Sequence, residues 1–197
     1  MATDLDALTA ELEAFGRAHD AATPARGERM LNITRDTGEF LRVLVHAASA
    51  RRVLEIGTSN GYSTLWLAAA LAAKGGKVET VERGAHKVAL AAVNFARSGL
   101  APFITQLHDD AQCVLRRSAD GQYDLVFLDS ERSEYVDWWP DLRRVLRAGG
   151  LLVVDNAGSH REELAPFVAV VNADAGFNTC LVPVGKGEFL AAKAATP

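Results

Sequence analysis

Two apolar, β-branched runs in this chain end in acid. Tyr123–Asp129 (YDLVFLD) stops at Asp129, and Gly150–Asn156 (GLLVVDN) stops at Asp155-Asn156. Their composition fits parallel strands buried on both faces. In open α/β sheets the carboxyl edge of such strands is where ligands bind, so charge placed there has a use. Two carboxylates and an amide oxygen converging at that edge form a hard, oxygen-rich donor set suited to Mg²⁺ or a similar divalent cation.

A second constellation lies upstream. Val53-Leu-Glu55-Ile-Gly57-Thr58-Ser-Asn-Gly61-Tyr62-Ser63 reads as strand, glycine turn and helix start. The glycines allow close backbone approach, and the helix N-terminus offers free amide donors. The spacing is not GxGxxG, and the acid at Glu55 would repel a pyrophosphate but suit a cationic amino group reached through water. An adenosine cofactor with a zwitterionic amino-acid tail fits better than NAD. Val81-Glu82 ends the next strand with a carboxylate placed to accept from ribose hydroxyls. His108-Asp109-Asp110-Ala111 ends the third, where polar groups can frame an adenine.

These ends must be positioned by a sheet, and the chain supplies one. With 197 residues, 49% hydrophobic and 23% charged, it is read as one domain over 1–197, with N-terminal helices in 1–50 and an α/β core in 51–197. Leu5, Leu8, Leu12 and Phe15 recur at helical spacing after Thr3, a candidate cap, and a second helix is expected over 37–49. Strands are expected at 52–56, 77–82, 104–108, 123–129 and 151–155. Helices at 62–73, 85–98, 111–117, 135–146 and 162–173 alternate with them. The glycines of Ala148-Gly149-Gly150 read as a helix C-cap. Residues 178–184 and 188–193, joined through Gly185-Lys186-Gly187, read as a hairpin adding an antiparallel strand at one edge. The whole is an α/β, Rossmann-like, mostly parallel sheet with helices on both faces.

Net charge −4 gives no general attraction to nucleic acid. No apolar run is long enough to span a bilayer, and the acidic amphipathic N-terminus is unlike a signal peptide, so a cytoplasmic protein with Cys113 and Cys180 as free thiols is expected.

EIGTSNGYS, VETVER, YDLVFLDSERSEY and GLLVVDNAGSH, in this order and spacing, resemble the cation-dependent O-methyltransferases, the caffeoyl-CoA and catechol group. The resemblance runs from about Asn32 to Lys193. It implies the seven-stranded class I methyltransferase fold and S-adenosylmethionine as cofactor. Carried onto matching positions, it implies that Thr34, Glu55, Gly57, Thr58 and Ser63 hold the methionine part and Glu82 the ribose. Asp110, Ala111 and Gln112 would border the adenine, and Asp129, Asp155 and Asn156 would take Mg²⁺, with Asp129 also beside the cofactor. It also implies a small hydroxylated acceptor and a homodimer.

The chain departs from the pattern in two places. Relatives carry a lysine, the usual candidate base, three residues after the first metal aspartate; here Arg132 stands there, and arginine stays protonated. His160, four residues after Asn156, titrates near working pH and is the candidate base in its place. Arg132 could instead neutralise an anionic substrate. Only 157–161 separates Asn156 from the last helix, where plant relatives carry a longer covering loop, so the N-terminal helices or a second subunit would complete the pocket. Tyr135, Trp138 and Trp139 either line it or pack their helix. Three other readings stay open: a metal-independent methyltransferase, a noncatalytic S-adenosylmethionine-binding protein, and a nicotinamide-dependent oxidoreductase.

Overall fold

A computed structural model describes residues 4–195. Seven strands form one sheet: β1 (Arg52–Ile56), β2 (Lys77–Glu82), β3 (Ile104–His108), β4 (Tyr123–Leu128), β5 (Leu146–Val154), β6 (Phe177–Val182) and β7 (Glu188–Lys193). Their spatial order is β3-β2-β1-β4-β5-β7-β6. The first five are parallel, and β7 is antiparallel to both β5 and β6. The antiparallel strand is therefore not the edge strand expected from the hairpin. β7 is inserted between β5 and β6, so Phe189 and Ala191 are buried, while β6 at the edge exposes Asn178, Cys180 and Leu181.

Helices cover both faces. On one side α1 (Leu5–Ala22), α2 (Arg35–Ala47), α3 (Tyr62–Ala72) and α4 (Ala85–Ser98) share a core with Val53, Leu125, Phe127 and Val153. On the other, α5 (Ala111–Arg117), α6 (Tyr135–Val145) and α7 (Arg161–Asn172) pack on Leu54, Ile56, Val126, Leu128, Leu152 and Val154. The alternation along each strand is the pleat sending successive side chains to opposite faces. Helix α3 is apolar nearly all round, as a helix under two others must be, and α1 and α2 lie against it.

Two local expectations change. Ala148-Gly149-Gly150 does not cap α6, which ends at Val145; the chain enters β5 at Leu146. The glycines lie in a bulge where the β4–β5 register shifts between Tyr123 and Leu125. There Arg147 turns back to pair with Asp124 at 2.5 Å. At the other end of the chain Thr3 lies outside the described residues, and Asp4 holds the cap position of α1 without a side-chain hydrogen bond. No helix among the described residues is long and apolar enough to cross a membrane, and Cys113 and Cys180 are free and exposed.

Candidate active site

The carboxyl ends of β1, β2 and β4 and the first turns of α3 and α7 open onto a cleft of about 660 Å³. Its floor is the loop between β1 and α3. Gly57 adopts φ +112°, and a Cβ there would sit 2.0 Å from the carbonyl oxygen of Asp129. Only glycine lets the cofactor loop lie directly against the end of β4. The amides of Gly57 and Thr58 donate to the Val81 carbonyl, tying the loop to β2 as well. Gly61, at φ +87°, starts α3 against the ring of Phe95.

Gly57, Thr58, Ser63 and Glu82 line this cleft, as do Asp129, Arg132, Asn156 and His160. Asp110 and Ala111 line an adjoining recess of about 60 Å³ that shares Gly57, Glu82 and Ser130 with the cleft. Both oxygens of Glu82 are held from behind, accepting from the amides of Ser59 at 3.0 Å and Gly84 at 2.8 Å. Asp110 caps α5 by accepting from the Cys113 amide, and Gln112 lies one residue past the recess.

Glu55, read from the sequence as reaching a cationic amino group through water, does not line the cleft. It is fully buried behind the loop and accepts from the hydroxyls of Thr64 and Thr80, leaving Oε1 without a partner. Burial pushes its pKa up to about 7, with the hydroxyls of Ser63, Thr64 and Thr80 opposing. Thr34 also stands off the cleft: it caps α2 and donates to Thr37 at 3.0 Å.

At the ends of β4 and β5 the three expected donors do converge. The Asn156 amide nitrogen lies 3.1 Å from Asp129 Oδ1 and 2.8 Å from Asp155 Oδ2. Asn156 itself has φ +69°, a left-handed conformation that asparagine tolerates better than most residues. The Asp155 carboxylate holds it there by accepting the Asn156 backbone amide at 2.7 Å. Burial, then Asp155, pushes the pKa of Asp129 well above the carboxylate range. The set contains only hard oxygen donors once the amide is turned over, and amide orientation is an assignment at such sites. Among the described residues no three His, Cys, Asp or Glu side chains are grouped to hold a metal, so Asn156 would be indispensable to a cation here.

Glu188 was not foreseen. Wholly buried at the start of β7, it accepts from Thr37 at 3.0 Å through Oε1. Burial and the adjacent Asp155 push its pKa up to about 10. Its Oε2 has no hydrogen-bond partner among the described residues. An acid opening an apolar strand is the same sign that marked Asp129. Because β7 runs antiparallel, its amino end lies at the carboxyl edge of the parallel strands.

Arg132 is buried and pairs through Nε with Glu163 at 2.7 Å. His160 stands at the start of α7 with Nδ1 2.9 Å from Ser159 Oγ. Burial lowers its pKa, and Arg132 lowers it further. The segment bearing Arg26, Met30, Leu31 and Ile33 lines the cleft. It is fixed to α1 because Asp20 accepts the amides of Met30 and Leu31 at 2.6 and 2.8 Å. Tyr135, Trp138 and Trp139 are buried; Trp139 packs on Phe167 and Phe177, and the Tyr135 hydroxyl accepts the Ser130 amide at 2.7 Å. Of the three, Trp138 alone touches the recess. They pack a helix rather than line the main cleft.

The family model for O-methyltransferases matches residues 17–194. The chain belongs to the O-methyltransferase family. It is 38% identical over 136 residues to the catechol O-methyltransferase of Mycobacterium tuberculosis (strain ATCC 25618 / H37Rv) and 31% identical over 154 residues to that of Niastella koreensis. Those stretches cover 69% and 77% of this chain but only 61% and 66% of the relatives. Among solved structures, cofactor-bound Rv0187 from MTB superposes with a TM-score of 0.79 at 29% identity, covering 94% of this chain and 90% of that one. The O-methyltransferase TomG from Streptomyces achromogenes, in complex with SAM, gives 0.77 at 25% identity, covering 99% and 92%. Membership in the O-methyltransferase family leaves the nicotinamide reading without support.

Proposed function

We propose that the chain is a single S-adenosylmethionine-dependent O-methyltransferase domain that methylates a hydroxyl of a small catechol-like acceptor with a divalent cation, Mg²⁺ in the simplest case. The observation that carries the reading is the meeting of Asp129, Asp155 and Asn156 beside the glycine-floored cleft. Relatives named catechol O-methyltransferase support the acceptor class. A cytosolic location and a homodimer go with the same reading.

In this proposal Glu82 takes the ribose hydroxyls on the lone pairs its two backbone partners leave free. Ala111, with Asp110 and Gln112 beside it, borders the adenine. Gly57, Thr58 and Ser63 meet the methionine part, with Glu55 and Thr34 supporting from behind. Asp129, Asp155 and the turned amide of Asn156 hold the cation. S-adenosylmethionine, when bound, supplies an electrophilic methyl, and the cation supplies charge that acidifies a nearby hydroxyl. Arg132 cannot accept that proton. His160 is the candidate: burial and Arg132 lower its pKa from the ordinary histidine value, and in the tautomer whose Nδ1–H donates to Ser159 Oγ, Nε2 is left to receive the proton. The residues lining the cleft then hold the acceptor oxygen in line with the methyl.

Methyl transfer to catechol should be lost on dialysis against EDTA and return with Mg²⁺. Full activity after chelation favours a metal-independent enzyme, a reading supported by the Asn156 amide, which already answers both aspartates with N–H. His160→Ala should lower kcat and remove the acid limb of its pH profile; an unchanged profile dismisses the histidine. Tight S-adenosylhomocysteine binding with no turnover across a broad catechol panel would favour a noncatalytic binding protein.

A further inference from the structure

The acceptor end of the cleft carries positive charge that the fold does not use. Arg132 is 8% exposed, and its single ion pair spends only Nε on Glu163. Its two Nη groups donate to no described residue, although the side chain lines the cleft. Those donors open to the cleft and are free for an acceptor that enters it.

Two further cations share this wall. Arg26 comes from the short turn Arg26–Glu28 over the cleft, and Lys186 from the turn between β6 and β7. Both are exposed, and neither forms an ion pair among the described residues. The Lys186 backbone is fixed, its carbonyl accepting from the amides of Gly158 at 3.0 Å and Ser159 at 2.9 Å, beside His160. Burial lowers the His160 pKa first, and Arg132, Arg26 and Lys186 add to that against the opposing pull of Glu163. All three line the same cleft as His160, which Glu82, Asp129 and Glu131 line as well.

Resting on the methyltransferase reading above, we propose that this wall selects an acceptor whose hydroxylated ring also bears an anionic group, a carboxylate or a phosphate ester, seated on Arg132, Arg26 and Lys186. Guanidinium groups match both anions in geometry, and the lysine adds a mobile point charge at the mouth.

Calorimetry on the protein loaded with S-adenosylhomocysteine and Mg²⁺ tests this with catechol, 3,4-dihydroxybenzoate and 3,4-dihydroxybenzylamine. The benzoate should bind about tenfold tighter than catechol, and the amine more weakly than either. The double variant Arg26→Gln/Lys186→Gln, altered only at exposed positions, should cut the benzoate-to-catechol affinity ratio by about tenfold. Affinities within about twofold of one another in the wild type, or a ratio the double variant leaves unchanged, overturn the proposal. So does a double variant that loses S-adenosylhomocysteine instead, since the cations would then serve the cofactor. Benzoate and phenyl phosphate, which lack the diol, separate this idea from the catechol reading. If they bind and the double variant loses them while no catechol binds, the anion site stands and the diol reading falls. If neither binds and dihydroxybenzoate has no advantage, the anion site falls. The tighter of the two names the anion.

Discussion

Replacing Glu55 by glutamine should flatten the pH dependence of stability by a calculable amount. The carboxyl is fully buried, and burial outweighs its hydroxyl partners, pushing the pKa up to about 7 from an ordinary 4.5. Between those values the folded protein keeps a proton that the unfolded chain has released. Stability from this group is therefore fully present below about pH 4.5 and is lost as pH rises through about 7. At roughly 1.4 kcal/mol per pH unit the gap corresponds to about 3 kcal/mol in all, of which about 2.5 kcal/mol falls between pH 5 and pH 8. Glutamine keeps the shape and an acceptor for Thr64 and Thr80 but does not titrate. Urea unfolding of both proteins at pH 5, 6, 7 and 8 isolates the term, because every other titrating group is common to the pair. The wild type should lose about 2.5 kcal/mol relative to Glu55→Gln across that range. Parallel curves would show that Glu55 is ionised in the folded protein, and the account of how the cofactor loop is supported would fail.

Gly57→Ala must find room for a Cβ 2.0 Å from the Asp129 carbonyl at φ +112°, so it should destabilise by about 3 kcal/mol or more and abolish S-adenosylhomocysteine binding, read by thermal shift and calorimetry. Asp124→Asn acts at the opposite end of the sheet. It weakens acceptance from the amides of Arg51 and Arg52, each at 2.8 Å, and removes the Arg147 pair, so it should cost about 2 kcal/mol in urea while leaving S-adenosylhomocysteine affinity unchanged.

Elements were legible where one local signal decided them. The apolar runs of β1 and β4 read correctly because burial on both faces is written in adjacent residues. Pairing is not written that way. Glycines at Gly149 and Gly150 satisfy a helix cap as well as a bulge, and the choice was made by Arg147 reaching Asp124, a contact twenty-three residues apart in sequence. Likewise, the turn between β6 and β7 does not say which of them pairs with β5, and their compositions do not either; it is β7 that does.

The candidate site follows the same division. Asp129, Asp155 and Asn156 were visible because parallel strands carry their ends to one edge, so an acid after an apolar run points there by direction alone. Glu188 obeys the same rule with the chain reversed: in an antiparallel strand the acid must open the run rather than close it. Reading strand direction first would have placed it beside Asp155. Burial, by contrast, is a property of the layers and not of the motif. The covering helices α2 and α3 supply Thr37 and Thr64, which turn Glu188 and Glu55 from strand ends into core carboxyls. Arg132 shows the converse. Two acids, Glu131 and Glu134, stand beside it in sequence, yet Glu163 on α7 takes its Nε. That leaves the rest of the guanidinium to the cleft, so a position where the sequence resemblance implies a lysine holds here a fixed positive charge.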